Sequence, residues 1–197
     1  MEVICLLTHF QWKPLYNDDS LPGWSISFYF KKHLYQAIYN SNGSIAQCYV
    51  EGGTAAYEGA KGKGAAIGGF VGASAASSSI IKACYSTADV VSAGEKAGGF
   101  AGRAYSGTLE NCFATGAVTA DKYVGGFAGE LSCTISACYA TGDVTSTGTN
   151  NYFGRFYGDG FPSASNCYYL TTSSVTGNGT EKTQGSKFTG QSPEALQ

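Results

Sequence analysis

Four cysteines, Cys84, Cys112, Cys138 and Cys167, follow one another at intervals of 28, 26 and 29 residues. Thiols can bind zinc, pair as disulfides or attack as nucleophiles, and the spacing discriminates among these. Zinc sites draw on closely paired ligands such as Cys-x-x-Cys, which the chain lacks. Thiols stacked in a regular ladder would have neighbouring Cα atoms but parallel Cβ vectors, which strains the disulfide torsion. The preferred reading is a row of buried free thiols acting as small apolar side chains. Cys133, read as lying in a loop, and Cys5, outside the array, are expected to be the more exposed thiols.

The remaining chemistry-bearing residues are sparse. Histidine is limited to His9 and His33, and a pairing with Cys5 carries little weight. Asp18-Asp19 sits in a polar turn, where capping is the simpler role. Asp89 and Asp143 recur at one repeat position, but Ala117 replaces the carboxylate between them. The row therefore reads as a solvated corner, not as the facing carboxylates that glycoside hydrolysis needs. Gly62-Lys63-Gly64 lacks the rest of a phosphate-binding loop. No catalytic residue, metal ligand or cofactor is expected, and the chain is read as non-enzymatic.

Net charge is −2 and only 13% of residues are charged. Lys31-Lys32 and Lys61-Gly62-Lys63 are the only basic clusters, so no nucleic acid is expected as a partner. Val3-Ile4-Cys5-Leu6-Leu7 is too short to span a bilayer and is no convincing signal peptide.

The elements that hold the cysteines are set by a repeat. One box reads Gly68-Gly69-Phe70-Val71-Gly72, Gly98-Gly99-Phe100-Ala101-Gly102 and Gly125-Gly126-Phe127-Ala128-Gly129. A second follows each time: Ala83-Cys84-Tyr85-Ser86-Thr87, Asn111-Cys112-Phe113-Ala114-Thr115 and Ala137-Cys138-Tyr139-Ala140-Thr141. Upstream, Gln47-Cys48-Tyr49-Val50 matches the second box alone. Downstream, Tyr152-Phe153-Gly154 reads as a damaged first box and Asn166-Cys167-Tyr168-Tyr169 as a closing second one. The expected organisation is an N-terminal cap or non-native start over 1–37, repeats over 38–175, and a polar tail over 176–197. Worn terminal units are what a capped array requires.

These boxes resemble the GLUG motif of bacterial immunoglobulin-A peptidases and filamentous-haemagglutinin-like surface proteins. The resemblance rests on Gly-Gly-Phe-x-Gly followed by Ile/Leu-x-x-Cys-Tyr/Phe-x-Thr-Gly. It implies an extracellular or cell-surface, adhesion-related setting. The peptidases' His-Glu-x-x-His motif is absent, so their activity is not carried over.

Each unit offers three short extended segments punctuated by Gly or Asn, with a length suited to one turn of a three-faced coil. The expected fold is an all-β parallel β-helix of about four to five turns, right-handed by the default for parallel crossovers, with an irregular N-terminal cap. Phe70, Phe100 and Phe127 should stack inside, as should Ile81, Leu109 and Ile135, and Val90, Val118 and Val144. The Cys-Tyr pair admits two orientations. Strict alternation turns Tyr85 inward and Cys84 outward. A bend at Asn111 and its equivalents reverses this and is preferred, because a small inward residue suits a narrow coil and Asn tolerates left-handed geometry.

On that reading Tyr85, Phe113, Tyr139 and Tyr168 form an outward aromatic stripe beside Thr87, Thr115 and Thr141. The expected function is adhesion or scaffolding, with a host or bacterial surface glycan, a protein or sister subunits as partner, and no membrane insertion. The alternatives are a fibre subunit associating end to end through open edges, and ice or regular-surface binding through the threonines.

Overall fold

A computed structural model describes residues 2–6, 39–40, 44–57, 66–149 and 151–196. His9, His33, Asp18-Asp19, both basic clusters, and the side chain of Cys5 lie outside the described residues. Within them the chain is a parallel β-solenoid with a single short 3-10 turn, Pro193–Leu196.

One turn shows how the repeat becomes structure. Lys96–Gly98, Ala101–Ala104, Thr108–Glu110, Phe113–Ala114 and Val118–Ala120 form five short strands. The next turn repeats them as Val124–Gly125, Ala128–Leu131, Thr134–Ser136, Tyr139–Ala140 and Val144–Ser146. Each strand pairs in parallel with its equivalents above and below, so that Leu109 lies between Ile81 and Ile135, and Val118 between Val90 and Val144. The ladders merge into four sheets. Where three extended segments per turn were expected, two differences account for the extra strands. The strand before each Gly-Gly-Phe box is too short to stand out in the sequence. The Ile-x-x-Cys-Tyr segment is cut in two by a backbone reversal.

That reversal sits at Gln47, Ala83, Asn111, Ala137 and Asn166, all with φ between 51° and 55°. A left-handed residue at this point shifts the alternation by one, so the cysteine that follows faces inward and the aromatic faces outward. The uninterrupted strand Ser44–Glu51 pairs with both Ile80–Lys82 and Tyr85–Ser86, and so joins the two ladders into one sheet. Glu2–Leu6 runs antiparallel along it.

The interior consists of the expected columns. Phe70, Phe100 and Phe127 stack with ring centroids 4.8–4.9 Å apart, and Phe156 continues the stack at 4.8 Å. This spacing is that of hydrogen-bonded strands. Ile45 and Val175 extend the other two apolar columns. Glycine at the second position of the first three boxes is imposed by the box stacked on the next turn. A Cβ at Gly99 would collide with the carbonyl oxygen of Gly126, and one at Gly126 with that of Arg155.

Phe156 corrects the placement of the damaged box. Gly125 pairs with Gly154, so the box is Gly154-Arg155-Phe156-Tyr157-Gly158 and not Tyr152-Phe153-Gly154. Arg155 replaces a glycine there, and its guanidinium reaches the carbonyl and hydroxyl of Ser173.

The polar stretch after Leu170 continues the coil. Val175–Gly177, Thr180–Glu181 and Phe188–Gln191 each add a parallel strand to a different sheet. Between them the chain skips a full box and imitates one. In the inner turns the Phe carbonyl accepts two N–H groups of the turn before, as Phe156 does from Phe127 and Ala128 at 2.8 and 3.0 Å. On the last turn Gln184 Oε1 takes that role, accepting from Phe156 and Tyr157 at 3.3 and 3.0 Å. Phe188 meets Phe156 with ring centroids 4.7 Å apart and planes tilted by 50°, closing the aromatic column.

Candidate functional surface

The outward aromatics form one continuous pile. Tyr49, Tyr85, Phe113 and Tyr139 stack with centroids 4.6–4.9 Å apart and planes within 5° of parallel. Tyr49 was not among the expected stripe residues, although its Cys-Tyr pair announces it. Tyr168 is in register with Tyr139 and half-buried. Face-to-face stacking occupies the ring faces of the inner members, so the pile offers its edges and hydroxyls to solvent. The Tyr85 hydroxyl donates to Glu51 Oε1 at 2.5 Å. That bond to a carboxylate holds the phenol pKa up at about 12. Loss of hydration pushes the Tyr139 phenol up as well.

The thiols lie on the other side of the backbone. Cys84, Cys112, Cys138 and Cys167 are fully buried and free, and Cys48, at the head of their column, is disulfide-bonded. Cys84, Cys112 and Cys138 each donate to the carbonyl two residues earlier at 3.2 Å. Burial pushes the Cys138 thiol well up, and the neighbouring Cys112 thiol together with burial does the same for Cys84. Cys133 corrects an expectation, since it is 3% exposed. Leu131, Cys133 and Ile135 all face the core by simple alternation, and burial raises the Cys133 thiol to about 12.

Thr87, Thr115 and Thr141 line one corner of the coil. Thr87 and Thr141 are half-buried and Thr115 is exposed. Thr87 Oγ1 accepts the Gly52 N–H at 2.8 Å, so one of the three is already engaged. A second hydroxyl column stands four residues on, where Thr119, Thr145 and Thr176 pair rung to rung. Thr176 Oγ1 bonds Thr145 Oγ1 at 3.2 Å. The signal for it was the Thr-x-x-Val-Thr spacing of Thr141 and Thr145. Between the columns, Asp89 Oδ1 accepts the Ala117 N–H at 2.8 Å and Asp143 Oδ1 accepts the Ser174 N–H at 2.6 Å. These carboxylates are folded onto the next turn's backbone, which leaves the face between the threonine columns low.

A third face carries charge. Glu130 lies 2.8 Å from Lys96 and 3.1 Å from Arg103, and Lys182 lies 2.9 Å from Asp159. Each pair ties one turn to another. Among the described residues no group of three or more His, Cys, Asp or Glu could hold a metal ion, and no helix is long and apolar enough to cross a membrane.

Comparison with known proteins divides the chain. The family model of the GLUG motif matches residues 93–119 and 120–145. A family of unknown function, DUF5342, matches residues 6–52, so this likeness reaches across Ser44–Glu51, a strand that the structure builds into the coil. The chain is also similar to the uncharacterized protein YheE of Bacillus subtilis (strain 168), with 50% identity over 40 residues, 20% of this chain and 56% of that protein. The chain thus spans about half the length of this curated relative. No solved structure matches it. The two GLUG matches coincide with consecutive turns, and the same strand register runs above and below them. Two consecutive turns of the coil are GLUG-motif repeats, and the turns on either side share their strand register.

Proposed function

We propose that the solenoid is a non-catalytic adhesion or scaffolding module of an extracellular or cell-surface protein, presenting its outer columns to a repetitive glycan or protein surface. The observation that carries this reading is the regular outer face that runs from Thr115 to Thr119, Thr141 to Thr145 and Ser174 to Thr176, with the carboxylates of Asp89 and Asp143 folded down. Hydroxyls repeating at one strand spacing match a ligand that itself repeats, and a stiff core keeps them in register. The aromatic pile Tyr49, Tyr85, Phe113 and Tyr139, with Tyr168 in register beyond it, borders this face and offers ring edges where a sugar platform would need free ring faces.

Arrays of surface glycans and matrix proteins, probed with the full chain, test the proposal. Retention on one ligand class, weakened by Thr115→Ala combined with Thr141→Ala and Thr145→Ala, is expected. Equal retention by that triple variant would move the binding site elsewhere, and turnover of a bound glycan would end the non-catalytic reading. The second hydroxyl column also favours binding to a regular solid such as ice, for which thermal hysteresis by the full chain is the measurement.

A further inference from the structure

Asn178-Gly179 forms the exposed corner between Val175–Gly177 and Thr180–Glu181 on the last turn of the coil. Among the described residues it is the one asparagine followed by glycine. The other described asparagines near the coil are differently placed. Asn111 precedes Cys112, whose N–H is engaged by Cys138 Sγ at 3.3 Å. Asn151 is buried, with its side-chain nitrogen bonded to the Asp121 carbonyl and to Ser146 Oγ, each at 2.5 Å. By contrast, no acceptor among the described residues takes the Gly179 N–H.

Glycine at 179 is fixed by packing. A Cβ there would collide with the carbonyl and side-chain oxygens of Asn151. The chain therefore cannot protect Asn178 by placing a bulkier residue after it without disturbing the bracket that Asn151 forms. Thr180 N–H donates to the Asn151 carbonyl at 2.8 Å, so the same bracket holds the next strand.

We infer that Asn178 is a site of spontaneous deamidation that ages the C-terminal end of the coil. The Gly179 nitrogen gives up its proton to solvent and attacks Asn178 Cγ. A bond from that nitrogen to Cγ forms, the bond from Cγ to the side-chain nitrogen breaks, and ammonia leaves. Water then opens the five-membered imide at one of its two carbonyls, giving aspartate or an isoaspartyl linkage. Asparagine is the thermolabile partner in this chemistry, and no oxidant or enzyme is required. The isoaspartyl product lengthens the backbone by one methylene at the corner. Thr180–Glu181 then loses its register with Tyr152–Phe153, and the segment that carries Gln184 and Phe188 is loosened.

The test is to incubate the full chain in mildly alkaline buffer at physiological temperature and to follow its peptides by mass spectrometry. The peptide containing Asn178 gains about 1 Da and splits into two chromatographic species, while those with Asn111 and Asn166 do not change. Conversion quickens as pH rises, and Asn178→Gln abolishes it. A native chain in which Asn178 persists, while the same residue converts in the denatured chain, overturns the inference. So does conversion at Asn111 or Asn166 as rapid as at Asn178.

Discussion

The hydroxyl of Tyr85 meets Glu51 Oε1 across one turn of the coil, bonding the second ring of the aromatic pile to the strand that opens the array. The phenol gains a carboxylate partner only in the folded chain, so its folded pKa of about 12 lies above the unfolded value. The stabilisation is fully present below the unfolded pKa near 10 and is lost as pH rises through about 12. Ultraviolet difference titration of the full chain against Tyr85→Phe should show this phenol ionising after ordinary tyrosines. Glu51→Gln should bring it back toward them. An unchanged titration in Glu51→Gln would mean that the bond does not form in solution.

Phe100 is fully buried between Phe70 and Phe127. Replacing it with alanine should destabilise the coil by about 3–5 kcal/mol, through lost burial and a cavity with stacked rings on both sides. Denaturant unfolding checks the figure, and a loss below ~1 kcal/mol would mean that the column closes over the gap.

Labelling of the native chain with a bulky maleimide should be slow at Cys84, Cys112, Cys133, Cys138 and Cys167, all of which are buried. Modification of Cys133 at the rate seen in denaturant would contradict its inward placement.

Ala83 and Ala137 occupy the left-handed position that Asn111 and Asn166 fill elsewhere. Both alanines are exposed, so the larger side chain meets no packing obstacle. Ala83→Asn and Ala137→Asn should each stabilise the fold by about 0.5–1 kcal/mol, because asparagine tolerates this geometry at lower cost. A raised midpoint in thermal unfolding is expected, and a lowered one would refute the strain argument.

Gln184→Ala removes the oxygen that serves the N–H groups of Phe156 and Tyr157. Leaving buried donors unmet costs about 1–3 kcal/mol, concentrated at the C-terminal turn. Hydrogen exchange should quicken at Phe156 and Tyr157 and stay slow at Phe100. Uniform quickening would show that the end does not open independently.

Columns were legible wherever a residue type recurs at the repeat spacing, as with Phe100 and Phe127 or Cys112 and Cys138. Stacking forces equivalent positions into like environments, so the sequence records them directly. The reversal at Asn111 was readable from one asparagine, whereas Ala83 and Ala137 carry no local hint and follow it only by register. The end of the array was least legible, because a cap replaces the repeat's chemistry with different atoms. An amide oxygen of Gln184 stands where a backbone carbonyl would be, and Phe188 reaches the ring column from outside the box. Cys133 was misjudged because its loop position outweighed its alternation with Leu131 and Ile135. The outer threonine face was only half seen, since Thr119 and Thr145 belong to strands whose inward valines dominate the pattern.

The stacking of turns at one strand spacing also fixes how the molecule would respond to tension. A folded turn advances the coil by only about 4.8 Å. Yet it stores the 26–29 residues between successive cysteines. Drawn out straight, such a length of chain reaches roughly 90 Å. Peeling a single turn from one end would therefore lengthen a tether nearly twentyfold over the distance it occupied, while the turns beneath keep their register. Under load the coil would be a compact store of slack, released in increments of 26–29 residues.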